Sequence, residues 1–208
     1  HQMINAGSLV SLGFNVGWAN KQINTSNLTF PSQWNGKFFD VHQTTTAPKL
    51  DRNNINYLDM QVGMNYAYFP TNDIYLNAGF SAMHVNRPKE SFFNDESGGN
   101  NRVPVRYTGF LNGSIKLNDR VIVNPNVYGS LQANAWEVVG GLNAHYNASG
   151  DGEKVLIAGV YYRYKDAVIP MLGFSFKDLT FTFSYDVTTS SLSNFNNGRG
   201  GFEFSLIK

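Results

Sequence analysis

The chain has no cysteine, which excludes disulfide frameworks and thiolate metal sites and leaves the redox compartment open. No apolar run approaches the roughly 20 residues that a membrane-spanning helix requires, so helical spanning is excluded. Charge is scarce and balanced: 15% of the 208 residues are charged, 16 basic against 15 acidic. That balance offers no basic field to nucleic acid, and no such partner is expected. Convincing helical periodicity is missing throughout. The opening His1-Gln-Met-Ile-Asn-Ala6 has neither a basic leader nor an apolar core before a small-residue cleavage site. The expectation is a mature or truncated chain whose export signal has been removed.

What is present is aromatic and glycine-rich, with 16 Phe, 11 Tyr and 20 Gly, a composition suited to strands and tight turns. A length of 208 residues gives one all-β domain rather than two. Near the C-terminus Leu179, Phe181, Phe183, Tyr185 and Val187 share one side of a strand, with Thr180, Thr182, Ser184, Asp186 and Thr188 on the other. The same period of two runs along the chain and defines about ten strands. They are marked by Val10–Trp18, Leu58–Tyr68, Ile74–Ala82, Val103–Ile115, Val121–Leu131, Trp136–Tyr146, Leu156–Tyr164, Leu172–Phe176, Leu179–Val187 and Phe202–Leu206. The mean hydropathy of -0.29 reads as soluble, but an average cannot register an apolar band carried on alternate residues.

Connection lengths alternate. Pro70–Asp73, Leu117–Arg120 and Phe176–Leu179 are tight, whereas Ala19–Asn56, Asn86–Arg102 and Thr189–Arg199 are long. Membrane barrels keep short turns in the periplasm and long loops outside, and counting strands back from a periplasmic C-terminus sorts all six that way. Two connections blur the rule: Gln132–Ala135 is short where a long loop is expected, and Asn147–Gly152 is longer than the other turns. A soluble β-sandwich explains alternation equally well. Against it stand Tyr and Trp near strand ends (Trp18, Tyr66, Tyr68, Trp136, Tyr146, Tyr162, Tyr164), as in interfacial girdles. Charges on the opposite face (Asp59, Arg106, Lys116, Glu137, Arg163, Lys177, Asp186, Glu203) suit a wet lumen. The expected fold is therefore an all-β, antiparallel transmembrane outer-membrane β-barrel, with bacterial outer-membrane lipid as its solvent.

Several phrases resemble one family, in order, from about Ser8 to Lys208. Ser81-Ala-Met-His-Val-Asn-Arg-Pro-Lys-Glu-Ser-Phe-Phe93 is similar to an S-x-x-H-x-N-x-P-x-x-S-F stretch of the PorP/SprF family of type IX secretion system outer-membrane proteins. Asn27-Leu-Thr-Phe-Pro31, Gln132-Ala-Asn-Ala-Trp-Glu137 and Tyr162-Arg-Tyr-Lys-Asp-Ala167 resemble further phrases of it. So do Gly173-Phe174, Ser184-Tyr-Asp186 with Thr188, Ser190 and Leu192, and Gly201-Phe-Glu203. The resemblance implies a non-enzymatic barrel of the secretion and gliding machinery of Bacteroidetes-type bacteria. Its implied partners are a secreted surface adhesin, held through its C-terminal domain, or periplasmic ring components. It further implies that these strands are the C-terminal part of a barrel of roughly 14, lacking about 80 to 100 residues of N-terminal strands, although ten is even and can close alone. Lys208 stands where outer-membrane proteins commonly carry an aromatic.

Candidate residues fall in three groups. Arg163, Asp186 and Glu203 have lumen parity on nearby strands and suit a charge network propping the interior, or else the wall of a docking cavity. His84, Asn86 and Pro88 form a strand-to-loop motif in which hydrogen bonding of the turn fits better than metal ligation, since no second ligand stands at metal spacing. Trp34, Phe38 and Phe39 lie in the first long loop, where large aromatics suit a partner surface or a plug. No cofactor and no catalysis are expected: Ser81 and His84, three apart on a strand, point to opposite faces. A passive pore or hydrophobic-solute transporter is the second reading, and an outer-membrane hydrolase the third. The sequons at Asn24, Asn27 and Asn147 are frequent by chance in an Asn-rich chain, and Ser97–Asn100 and Asn196–Gly201 read as glycine-rich loops.

Overall fold

A computed structural model describes residues 2–25, 28–46, 50–93, 101–197 and 199–208. Ser26 and Asn27 of two sequons and of the Asn27–Pro31 phrase, the Ser97–Asn100 stretch, and Gly198 lie outside the described residues. The strands are β1 Gln2–Asn5, β2 Ser8–Gln22, β3 Asn54–Thr71, β4 Ile74–Met83, β5 Arg106–Asn118 and β6 Val121–Gln132. Then follow β7 Ala135–Asn147, β8 Lys154–Arg163, β9 Ala167–Phe176, β10 Leu179–Tyr185, β11 Val187–Thr188, a single helical turn α1 Ser193–Asn196, and β12 Phe202–Ile207. They form one sheet in the order β1-β2-β3-β4-β5-β6-β7-β8-β9-β10-β12, with β11 against β9. Among the described residues no pairing joins the two end strands, β1 and β12, to each other. Two compact units divide the chain, one of His1–Phe14, Val62–Met83 and Arg106–Lys208, the other of Asn15–Gln61 and His84–Val105.

All ten strands read from the alternation are present. The structure adds β1, which pairs with the start of β2 and carries too few residues for a periodic signal. It also starts β5 at Arg106, so Val103 and Val105 lie in the preceding loop. The strand expected from Leu179 to Val187 lapses at Asp186 although its register continues, Ser184 facing Met171 and Val187 facing Val168. That register sets Pro170 opposite Tyr185, and a proline has no N–H to give the ladder. Pro125 does the same inside β6: the β5 ladder skips from Asn112↔Asn126 to Ile115↔Val123. Gly113 accommodates the ring, because a Cβ there would stand 2.9 Å from Pro125 Cγ. Three of the connections place a residue in the left-handed region, Ala133, Lys165 and Lys177 with φ of 51°, 59° and 52°.

The two faces of the strands differ in chemistry, with the apolar one left largely exposed. Buried apolar residues are confined to Ile55, Ala67, Ala82, Ile157 and Ala167 among the described residues. The periodic apolar side chains are exposed instead, among them Leu111 at 53%, Leu142 at 48% and Leu172 at 64%. Complete burial of a Leu side chain is worth about 1.5–3 kcal/mol, and these half-exposed residues forgo roughly half of it if the face meets water. The opposite face is polar and mutually hydrogen-bonded. Asn124 Nδ2 donates to Asn143 Oδ1 at 2.9 Å, while Asn126 and Asn143 donate to Tyr161 Oη at 3.2 and 2.6 Å. Arg106 donates to Ser130 Oγ at 2.9 Å and to Tyr128 Oη at 3.3 Å. Aromatic rings gather toward strand ends on the apolar face, as in the Trp136–Tyr164 pair at 5.5 Å and the Tyr66–Tyr68 stack at 6.5 Å.

Candidate functional site

The best-built polar site lies where β8 turns into β9. Arg163 ends β8 opposite Ala167, the first residue of β9, which is 2% exposed and leaves no room for a larger side chain. The Arg163 guanidinium donates to Asp166 Oδ2 at 3.0 Å, pairs with Asp186 Oδ2 at 2.8 Å, and has Glu137 Oε2 at 3.7 Å. The Asp166 carbonyl accepts from the Thr189 and Ser190 amides at 2.7 and 3.0 Å and from Thr189 Oγ1 at 3.1 Å. One turn therefore anchors both the charge cluster and the start of the segment leading to α1. Farther along that segment, Asn196 Nδ2 donates to the Arg199 carbonyl at 2.6 Å and to Thr188 Oγ1 at 3.2 Å. The Asp186 amide donates to the Gly201 carbonyl at 3.0 Å, so Asp186 is held by its backbone as well as by Arg163.

Glu203 is not in this cluster. It is exposed and faces Ser184 across the β10–β12 pair. From β8 to β12 are three strand spacings, about 14 Å, beyond the reach of an arginine side chain. Asp166 and Glu137 take the place that parity alone assigned to Glu203. Both were visible in the sequence, Asp166 inside the Tyr162–Ala167 phrase and Glu137 among the charges of the polar face.

In the other unit, His84, Asn86 and Pro88 form a clamp on β3. The chain leaves β4 through His84 and Arg87, both left-handed at φ 58° and 45°. His84 Nδ1 lies 2.8 Å from Asp59 Oδ1. Asn86 Oδ1 accepts from the Met60 amide at 3.2 Å while its Nδ2 donates to the Leu58 carbonyl at 2.6 Å, so one side chain continues the ladder where the backbone has turned away. Pro88 is buried and its carbonyl accepts from the Val103 amide at 2.9 Å. Glu90 is hydrogen-bonded by Lys21 Nζ and by Tyr57 Oη, the latter at 3.1 Å. The Lys21 hydrogen bond holds the Glu90 carboxyl below its ordinary range, against the opposing effect of burial. Ser91 Oγ accepts from the Phe93 amide at 3.1 Å, closing the phrase.

A family profile described as "Type IX secretion system membrane protein PorP/SprF" matches residues 1–207. The chain belongs to the PorP/SprF family. No curated protein and no solved structure matches it. Some of the phrases that resembled the family fall in the two sites: Tyr162–Ala167 with Ser184–Asp186 in the ion cluster, and His84–Phe93 in the clamp. Within the first long loop, residues 30–39 hold one another through local contacts. Trp34 and Phe39 bridge each other with ring centroids 5.2 Å apart. Asn35 Oδ1 accepts from the Lys37 and Phe38 amides, both at 3.0 Å. Gln33, 7% exposed, takes the Phe30 amide on Oε1 at 2.9 Å. Trp34, Phe38 and Phe39 stay 50–59% exposed on this frame. In the first unit, Leu192 at the N-cap of α1 and Phe195 within it are exposed at 55% and 86%. Sequence reading named Leu192 only within the family resemblance and passed over Phe195, for which a lone helical turn gives no periodic signal.

Proposed function

We propose that the chain is part of a non-enzymatic outer-membrane β-barrel of the type IX secretion machinery, and that its long-loop end docks a secreted adhesin through the adhesin's C-terminal domain or a component of the apparatus. The observation that carries this reading is the exposed apolar face over a hydrogen-bonded polar face, a distribution stable only with lipid on the outside. Family membership supplies the secretion system. The paired charges at Arg163 and the polar contacts among Asn124, Asn126, Asn143 and Tyr161 favour a propped interior over an open pore, so docking rather than conduction is the role. Trp34, Phe38 and Phe39 are the contact residues of choice, because aromatic side chains on a rigid turn lose little entropy on binding.

The test is co-purification of the solubilised native protein with its partner, compared between the wild type and the Trp34→Ala/Phe39→Ala variant. Docking predicts a partner of the secretion apparatus or an adhesin with the wild type and at least a tenfold loss with the variant. Ion conductance in planar bilayers without any such partner would support the pore and refute this reading.

A further inference from the structure

The asparagines of the polar face divide into two sets. On β6–β8 the amides of Asn124, Asn126 and Asn143 are tied to one another or to Tyr161. On β3–β5 they are not. Asn65 and Asn77 each bury Oδ1 with no hydrogen-bond partner among the described residues, and the Asn112 side chain has none there either. These three surround one aromatic ring. Asn77 faces Asn112 across β4 and β5, and two residues along the same pair of strands Gly79 faces Phe110. Gly63 lies against Ser81 and Phe69 stacks on Tyr75, a register that sets Asn65 beside Gly79. A Cβ at Gly79 would stand 2.3 Å from Phe110 Cε1, so the ring leans across β4 along the sheet instead of standing off it. All four side chains are partly buried and lie in the first unit. Charge is kept away: on β5, Arg106 is spent on Ser130 and Tyr128, and Lys116 on Asp119.

We infer that this cluster binds a neutral saccharide, with one pyranose of equatorial hydroxyls lying on Phe110. The residues call for a ligand without charge, with an apolar surface for the ring and with groups that both donate and accept for the amides. Such a pyranose has all three. Equatorial hydroxyls leave its faces to C–H bonds, which meet the negative face of an aromatic ring, and the hydroxyls at its rim donate and accept. An amide that the protein does not hold can turn to offer either Oδ1 or Nδ2. A buried oxygen without a donor is costly, which favours the turned form once a hydroxyl is there to donate. Placement selects a ring over an extended peptide: the three amides come from adjacent strands about 5 Å apart and gather round one point, whereas the N–H and C=O groups of an extended peptide run in a line. The inference rests on the polar face of β3–β5 and not on the docking reading.

The experiment is an NMR titration of the full chain, solubilised in a detergent without a sugar headgroup, with cellobiose, sorbitol and N-acetylglycine N-methylamide. Cellobiose is expected to saturate and to shift the side-chain amide signals of Asn65, Asn77 and Asn112 but not that of Asn143. Sorbitol, which has the hydroxyls without the ring, and the model peptide amide should each bind at least tenfold more weakly. Phe110→Leu keeps an apolar side chain without the π-face, and Asn112→Leu keeps the size without the hydrogen bonds; each should weaken cellobiose binding at least tenfold. Sorbitol or the peptide amide binding as tightly as cellobiose, wild-type amide signals that stay in place, or a Phe110→Leu protein that binds unchanged would each overturn the assignment. The wild-type shifts decide the matter even where a variant does not fold. Failure here leaves the docking test at Trp34 and Phe39 unaffected, since those residues belong to the other unit.

Discussion

Removing the Arg163 charge is the perturbation with the most to say about the interior. The guanidinium stands 2.8 Å from Asp186 and 3.0 Å from Asp166, with side-chain exposures of 30% for Arg163, 25% for Asp186 and 44% for Asp166. Fully exposed pairs are worth about 0–1 kcal/mol, and breaking a fully buried one costs about 3–5 kcal/mol. At a quarter to just under a half exposed, Arg163→Met should cost about 1–2 kcal/mol, most of it from carboxylates left facing one another. In a double-mutant cycle with Asp186→Asn, the coupling should be about 1 kcal/mol, since the second change removes the charge that the first left unpaired. The assay is reversible urea unfolding in lipid vesicles, followed by tryptophan fluorescence. The same cycle with Glu203→Gln should show coupling within about 0.3 kcal/mol of zero, because Glu203 lies three strands away. Additive behaviour of Arg163 and Asp186, or coupling to Glu203 as strong as to Asp186, would refute the cluster as described.

Other outcomes follow from single contacts. Gly113→Val should destabilise by about 1–3 kcal/mol in the same assay, since its Cβ meets the Pro125 ring at 2.9 Å; Gly13→Val, with nothing near its Cβ, should cost much less. Asn86→Ala removes both bonds to β3 and should cost about 1–2 kcal/mol, read as faster proteolysis of the His84–Phe93 segment. The Glu90 anchor should weaken in acid: its carboxyl titrates lower in the folded state than the ordinary 4.5, so its stabilisation is complete above that value and lost as pH falls through the lower folded one. Lys21→Met should flatten that acid dependence of proteolysis.

Much of the fold was legible because a strand writes its two faces directly into alternate residues. Leu142 and Asn143, or Phe181 and Thr182, show their sides without any neighbour being known. The places where reading failed depended on a neighbour. The lapse at Asp186 comes from Pro170 on the adjacent strand, and β1 exists only through its pairing with β2. Parity gave Arg163, Asp186 and Glu203 a common face but not a common position, since position depends on the number of strands between them. Asp166 replaced Glu203 because a tight turn brings residues three apart together more surely than any face does. At the clamp, His84 read as a turn-fixing residue from sequence alone, but its Asp59 partner lies 25 residues away and required the register.

The central claim is that the apolar face meets lipid and the polar face does not. A chain without cysteine makes the measurement clean: Leu142→Cys and Asn143→Cys, each carrying a small fluorophore, are reconstituted with lipids brominated along the acyl chain. Strong quenching at position 142 and little at 143, with the same alternation repeated at Leu111 and Asn112, is the predicted result. Equal quenching at neighbouring positions, or quenching confined to 143 and 112, would contradict it.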